Sequence, residues 1–204
     1  MQTEKKDRRV RKTENLLLEG LTDLMETKSI NDITVRELAD AVDINRSTFY
    51  LHYRDIYDMA EHIEDNLIKE FTEKLDRIDK KNFHDGIKEK DLESIMESIF
   101  SLLFENKEVC RAFLGHNGDI KFMNKIKKII SERIDYIIYG THFADKKELS
   151  DLDVELIKSY FISGCIGLVQ YWLDCSPEQQ ALANPKYMSM LFVDLVKANL
   201  PPAA

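Results

Sequence analysis

The chain has 204 residues, of which 32% are charged and 44% hydrophobic, with only 7 Gly and 4 Pro. This composition favours a soluble helical protein, of one large domain or of a small domain beside a larger one. The N-terminus is charged and the longest apolar stretch, 160–173, is too short to cross a bilayer, so we expect no signal peptide and no membrane partner. The three cysteines, at 110, 165 and 175, argue against a disulfide framework and predict reduced thiols in a cytoplasmic protein.

The formal net charge of −8 is unevenly distributed along the chain. Residues 1–54 carry ten basic and ten acidic side chains, and the remaining 150 residues carry 19 basic and 27 acidic ones. Six of the basic residues fall at the very start: Lys5, Lys6, Arg8, Arg9, Arg11 and Lys12. A basic arm beside an acidic body is typical of a protein that meets nucleic acid at one end, and the alternative is a charged end that is only solvated.

The spacing of apolar residues predicts an all-α protein. In chain order, we expect helices at about 9–27, 35–42, 46–50, 55–79, 91–105, 107–114, 119–138, 153–173 and 185–199. The polar stretches 80–90 and 140–152 are predicted to be loops, and Ser176 and Pro177 are expected to end the eighth helix.

The stretch Thr34 to Tyr53, TVRELADAVDINRSTFYLHY, predicts two short helices joined by a tight turn. Thr34 can cap the first helix, and Glu37 stands three residues later, which is the spacing of a capping box. Asn45 can cap the second helix, and Asp55 a third one that follows. Helices this short bury little surface by themselves, so the pattern favours a helix-turn-helix whose second helix enters the major groove of DNA.

With Leu17-Leu18, Met25, Ile33 and Asp55, this stretch resembles the TetR/AcrR family of transcriptional regulators. The resemblance implies an N-terminal three-helix helix-turn-helix DNA-binding domain at 1–54 and a C-terminal helical ligand-binding and dimerisation domain at 55–204, linked by the helix at about 55–79. It also implies a repressor that reads a palindromic operator in double-stranded DNA as a homodimer and is released by a small-molecule inducer.

The candidate DNA contacts lie in and around the second motif helix. Ser47 and Thr48 are short hydrogen-bonding side chains placed where base edges are reached, whereas Phe49 and Tyr53 are expected in the core. Ile56 stands where many relatives carry a lysine that meets a phosphate, and Arg54 is expected to compensate. Together with the positions implied by the resemblance, the predicted contacts are Arg36, Asn45, Arg46, Ser47, Thr48, Tyr50, His52 and Arg54.

The predicted helix at 153–173 is apolar nearly all round, which indicates burial on two sides. One side can belong to the core and the other to a partner subunit, and the alternative is a central core helix of a monomer. Small residues would allow a close approach of two helices. The predicted interface residues are Phe161, Gly164, Gly167, Leu168, Tyr171 and Trp172.

Aromatic and methionine side chains of the body are candidates for an inducer pocket, although the same residues also suit an ordinary helical core. They are Met96, Phe100, Phe104, Phe113, Phe122, Met123, Tyr136 and Tyr160. The pattern Cys110-x5-His116 alone is weak evidence for a metal, so we expect neither a metal nor a cofactor.

Two other classes of function are alternatives to a DNA-binding regulator. No nucleophile elbow, phosphate-binding glycine loop or zinc-protease motif occurs in the sequence, so an enzyme is not expected. The other alternative is a regulator-fold adaptor, or an activator controlled by a protein partner, with weak or no ligand binding.

Overall fold

The computed structural model describes residues 2–76, 89–115, 118–140 and 150–199. Every regular element in these ranges is helical, which confirms the predicted all-α class. The α-helices are α1 (Gln2–Met25), α2 (Val35–Ala41), α3 (Arg46–Phe49), α4 (Ile56–Leu75), α5 (Glu89–Glu105), α6 (Lys107–Leu114), α7 (Ile120–Gly140), α8 (Asp151–Asp174), α9 (Pro177–Leu182) and α10 (Pro185–Asn199), with a 3₁₀ turn at Ile30–Asp32.

The chain divides into two compact units. The first comprises Met1–Asn66 and Glu108–Met123, and the second comprises Leu67–Lys107 and Asn124–Ala204. Each unit has its own set of buried apolar side chains.

The core of the first unit is built around the helix-turn-helix. Helix α1 packs against α2, and α2 packs against α3. Gly20 allows the close packing of α1 on α2, because a Cβ atom at this position would overlap Cγ1 of Val42. The fully or almost fully buried side chains of this core include Leu17, Leu21, Met25, Leu38, Phe49, Met59, Phe113 and Phe122.

The second unit depends on long helices. Helix α5 packs along α10, and the rings of Phe100 and Phe192 contact each other across this pair with centroids 6.4 Å apart. Phe104 of α5 contacts Trp172 of α8, with ring centroids 5.8 Å apart. Phe100 and Trp172 are buried at these contacts, whereas Phe104 remains 39% exposed.

The structure corrects one predicted helix start and adds one helix. Helix α1 begins at Gln2 rather than at about residue 9, so the basic stretch is helical; no Gly or Pro precedes Gly20 to interrupt it. Helix α9 was not predicted, although Ser176 and Gln179 form a complete capping box around Pro177 at its start. The predicted loops fall mostly on 77–88 and 141–149, which lie outside the described residues.

Candidate nucleic-acid interface

The first motif helix begins with half of the predicted capping box. Thr34 Oγ1 accepts a hydrogen bond of 3.2 Å from the backbone N–H of Glu37, as expected. The carboxylate of Glu37, however, pairs with the ammonium of Lys28. Lys28 lowers the pKa of Glu37 below its ordinary value, because the ion pair stabilises the charged form. Glu37 therefore connects α2 to the segment after α1, through a partner nine residues earlier that the capping-box spacing does not reveal.

The turn between α2 and α3 contains a residue in the left-handed region. Asp43 has φ 52°, and the next residue, Ile44, donates its N–H to the carbonyl of Ala39 at 3.0 Å. Aspartate tolerates this conformation better than most residues other than glycine. The strained residue reverses the chain quickly enough for α3 to start at Arg46.

Helix α3 is very short and is held at its start by Asn45. The Asn45 Oδ1 atom accepts two hydrogen bonds of 2.9 Å from Ser47, one from its backbone N–H and one from its hydroxyl. Asn45, Arg46 and Ser47 are exposed, and Thr48 is half-buried. The cap that starts the helix thus also fixes the Ser47 hydroxyl on the exposed side.

Two adjacent aromatic residues point in different directions at the end of α3. Phe49 is fully buried, which confirms the predicted core position, and its ring contacts that of Tyr53 at 5.8 Å. Tyr50 is 59% exposed and meets the edge of Phe49. Phe49 therefore anchors the helix while the phenol of Tyr50 remains available to a ligand.

His52, a predicted contact of the DNA backbone, is mostly shielded from solvent in the structure. Its side chain is only 10% exposed, and its Nδ1 atom lies 3.5 Å from Oε1 of Glu14 on α1. The ring also lies against that of Tyr53, with centroids 6.1 Å apart. The helical turn that continues past α3 directs His52 inward, towards α1.

Arg54 and Asp58 form a tight pair at the start of α4. The Arg54 guanidinium donates to Asp58 Oδ1 from Nε at 2.8 Å and from Nη2 at 2.6 Å, and its backbone N–H donates to Oδ2 at 2.9 Å. Arg54 lowers the pKa of Asp58 below its ordinary value. The arginine remains 81% exposed, but its charge is largely neutralised locally. Ile56 is buried, so this position does not present a side chain to a phosphate.

Arg36 and Leu51 complete the exposed surface around α3. The side chain of Arg36 is 73% exposed and lies 3.7 Å from Asp40 on the next turn of α2. Leu51, which the sequence prediction omits, is 83% exposed. Leu51 directly follows Tyr50 on a helical turn whose inward positions are Phe49 and His52. This placement is the signal that could have predicted its exposure.

The outer face of α8 is apolar, and its surface is defined by four exposed side chains that we call the α8 apolar row: Leu152, Leu156, Tyr160 and Tyr171. Gly164 and Gly167 lie between them and are exposed, and a Cβ atom at either would meet nothing within 4 Å. Phe161 and Leu168 are half-buried. Trp172, predicted at the interface, is instead buried in its own chain and donates its indole N–H to the carbonyl of Ala183 at 3.1 Å.

The predicted pocket residues are divided between the two units. Phe113 and Phe122 pack edge to face in the first unit, with centroids 5.8 Å apart, and Met123 is buried in the same unit. The second unit contains buried Phe100, half-buried Met96 and the Phe104 that contacts Trp172. Tyr160 is 61% exposed on α8, so it does not line an interior pocket, and Tyr136 falls outside the described side chains.

Two further features concern ions and membranes. Among the described residues, no group of three or more His, Cys, Asp or Glu side chains is arranged to hold a metal ion. In the same ranges, no helix combines the length and apolar character needed to span a membrane.

The family of the chain follows from its C-terminal half. Residues 90–197 match the TetR_C_8 model, which describes the C-terminal region of transcriptional regulators. The match covers more than half of the chain, and the N-terminal unit contains the helix-turn-helix described above. The protein belongs to the TetR family of transcriptional regulators.

Several solved structures share the fold at low sequence identity. A TetR regulator from Streptococcus agalactiae 2603V superposes with a TM-score of 0.56 at 16% identity, covering 95% of this chain and 98% of that one. The regulator FadR from Bacillus subtilis, in complex with stearoyl-CoA, has a TM-score of 0.57 at 16% identity and covers 88% and 95%. The dihydroxyacetone kinase operon activator DhaS has a TM-score of 0.51 at 17% identity and covers 92% and 96%. Comparison with curated proteins gave no match.

Proposed function

We propose that this protein is a repressor that reads an inverted-repeat operator as a homodimer and is released by a small-molecule inducer. The observation that carries the proposal is the exposed polar row of α3. Asn45, Arg46, Ser47 and Tyr50 are exposed on a helix whose only buried side chain is Phe49. A surface helix that is capped at its start and anchored by one aromatic ring presents such a row rigidly, as reading of the major groove requires. Residues 1–54 would form the DNA-binding domain and residues 55–204 the ligand-binding and dimerisation domain.

The exposed groups divide by chemistry into two kinds of contact. Arg46 and the Tyr50 hydroxyl suit phosphate oxygens, which position the protein without reading sequence. Ser47 and Thr48 suit base edges, and Leu51 is an apolar group of the kind that contacts a thymine methyl. Arg36 is a further phosphate candidate, while Arg54 contributes less because Asp58 already pairs with it.

The homodimer is supported by the α8 apolar row. Four large apolar side chains that are each at least 60% exposed on one helix form a patch that a partner surface would cover. Gly164 and Gly167 leave open space on the same helix, which would allow the backbone of a partner helix to approach closely. We therefore place Gly164, Gly167 and Tyr171 in the interface, with Phe161 and Leu168 at its edge, and omit Trp172.

A small-molecule inducer is supported by analogy of fold. The FadR structure from Bacillus subtilis, which contains stearoyl-CoA, shares the architecture of this chain. In the second unit, Met96, Phe100 and Phe104 follow one another at four-residue spacing, so they share one apolar face of α5. We propose that an apolar or amphipathic inducer binds beside α5.

Control by activation is the second candidate. One of the structures that share the fold, DhaS, is an operon activator. In this alternative a protein partner, rather than a small molecule, controls the regulator. A promoter–reporter fusion measured with and without the gene for this protein separates the two, because a repressor lowers expression and an activator raises it.

The test of DNA reading is a selection of random duplexes by the full-length protein. We expect an enriched inverted repeat. Thr48→Ala should then change base preference at defined positions, whereas Tyr50→Phe should weaken binding to all sequences by about 1 kcal/mol through the loss of one phosphate hydrogen bond. A selection that yields no enriched sequence would refute the DNA-reading function and favour an adaptor.

A further inference from the structure

We propose that Glu14 and His52 form a positioning contact that fixes the recognition helix α3 to α1, and that Glu14 supports operator binding although it is acidic. The inference rests on the proposed function. His52 Nδ1 lies 3.5 Å from Glu14 Oε1, and the His52 side chain is 90% shielded from solvent. A histidine in this position would support the orientation of α3 without contacting DNA itself.

Backbone hydrogen bonds connect His52 to the end of the recognition helix. The backbone N–H of His52 donates to the carbonyl of Phe49 at 2.9 Å, and the backbone N–H of Tyr53 donates to the same carbonyl at 3.0 Å. Phe49 is fully buried. A displacement of His52 would therefore be transmitted to the end of α3, where Tyr50 is exposed.

Glu14 lies on the helix that also carries the basic stretch. Arg8, Arg9, Arg11 and Lys12 are exposed on the same helix, within two turns of Glu14. The contact between Glu14 and His52 thus connects the cationic end of α1 with the polar row of α3. Both surfaces must meet one duplex together if phosphate attraction is to add to base reading.

A second observation places the Glu14 carboxylate in the same cluster. The pKa of Tyr53 is raised above its ordinary value, first by burial of the phenol and then by the negative charges of Glu14 and Asp58. The Tyr53 ring contacts His52 on one side and His62 of α4 on the other, at centroid distances of 6.1 and 5.7 Å. Glu14, His52 and Tyr53 therefore form one polar and aromatic layer beneath α3.

The sign of the effect of a Glu14 substitution distinguishes positioning from simple electrostatics. A carboxylate beside a DNA-binding surface repels phosphates, so removal of a bystander carboxylate should strengthen binding. Removal of a positioning carboxylate should weaken it. Glu19, which is exposed on the same helix, provides a matched control with the same change in charge.

The experiment measures fluorescence anisotropy of full-length protein with the duplex selected from the random pool and with a scrambled duplex. We expect Glu14→Ala to weaken binding to the selected duplex roughly five- to tenfold, the size of one lost polar contact. Binding to the scrambled duplex should change less than about twofold. Glu14→Gln keeps the size and polarity of the side chain without its charge, and should retain most of the wild-type binding. Glu19→Ala should not weaken binding, and a Glu14→Ala/His52→Ala double variant should lose no more than His52→Ala alone.

The outcomes separate this inference from the function on which it rests. If the wild-type protein selects no duplex, the DNA-reading function fails and the inference fails with it. If the wild type binds but Glu14→Ala binds equally or more tightly, the positioning role is wrong and the DNA-reading function stands. Equal losses in Glu14→Ala and Glu14→Gln, or a comparable loss in Glu19→Ala, would also overturn it. Thermal unfolding of each variant establishes that the folded protein is being compared.

Discussion

Two exposed surfaces of this chain have opposite chemistry. Around α3 in the first unit, the exposed side chains are mostly hydrogen-bonding or cationic, and on the outer face of α8 in the second unit they are mostly apolar. Polar groups on the surface are hydrated in the unbound protein, so their exposure there has little free-energy cost. The same groups can hydrogen-bond to phosphates and bases when DNA is present. Exposed apolar groups are unfavourable in water, and their burial against another apolar surface lowers the free energy. This difference supports the proposal that one surface meets nucleic acid and the other a protein partner.

The two surfaces are also supported in different ways. The α3 surface is borne by a very short helix, held by an asparagine cap, a strained aspartate and one buried phenylalanine. Helix α8 is long and begins with a complete Ser150–Asp153 capping box. Short elements depend on single residues, so point substitutions should affect the first surface through stability and the second through association.

The largest expected effect is at Phe49. Its replacement by alanine would leave a cavity beneath α3 and should lower the free energy of unfolding by about 3–5 kcal/mol. Tyr50→Ala, at the adjacent exposed ring, should change stability by less than about 0.5 kcal/mol while it weakens DNA binding. Denaturant unfolding of both variants measures the contrast, and equal destabilisation would show that the two rings do not have separate roles.

Gly20 tests the close packing of α1 on α2. Gly20→Ala should destabilise the protein by about 1–3 kcal/mol, because the added methyl group overlaps Val42. A second substitution, Val42→Ala, removes the overlapping atom. It should restore part of the stability that Gly20→Ala loses. Thermal melts of the two single variants and the double variant provide the cycle. Strictly additive losses would contradict the overlap as the cause.

Gly167 tests the α8 surface, where the same kind of substitution should have a different consequence. A Cβ atom at this position meets nothing within 4 Å in its own chain, so we expect the folded monomer to tolerate leucine there. In a dimer it would push the subunits apart at a cost of about 1–3 kcal/mol, which falls on association. Sedimentation velocity should show a dimer in the wild type and a shift towards monomer in the variant. A variant that stays dimeric but melts earlier would place Gly167 in the core.

The smallest expected effect is at Asp43. Alanine accepts the left-handed conformation less readily than aspartate, and Asp43→Ala should destabilise the protein by about 1 kcal/mol. Asp43→Gly carries no such steric cost and should change stability by no more than about 0.5 kcal/mol. Chemical denaturation distinguishes the two. A glycine variant that is as unstable as the alanine variant would show that the side chain, not the backbone angle, is what the turn requires.

The sequence predicts most helices of this protein because their ends carry local signals. The predicted helix at 107–114 agrees with α6, which Gly115 follows, and that at 185–199 agrees with α10, which begins at a proline. Helix α9 escapes a periodicity search because six residues make fewer than two turns. Its capping box is the better signal.

Side-chain partners were harder to predict than helices. Glu37 pairs with Lys28 rather than with its own helix start, and His52 turns towards Glu14 on another helix. Both choices depend on tertiary packing, which local spacing does not contain. On α8, apolar residues lie on nearly every face, so periodicity alone could not show that Tyr160 is exposed and Trp172 is buried.

We propose that the polar surface of α3 reads DNA as one half of a pair. The most direct measurement is the mass of the complex formed with the selected duplex, determined by sedimentation velocity on the full-length protein. We expect two chains on one duplex, and no complex of that size on a duplex that carries a single half-site. A complex of one chain per duplex, or no complex at all, would contradict it.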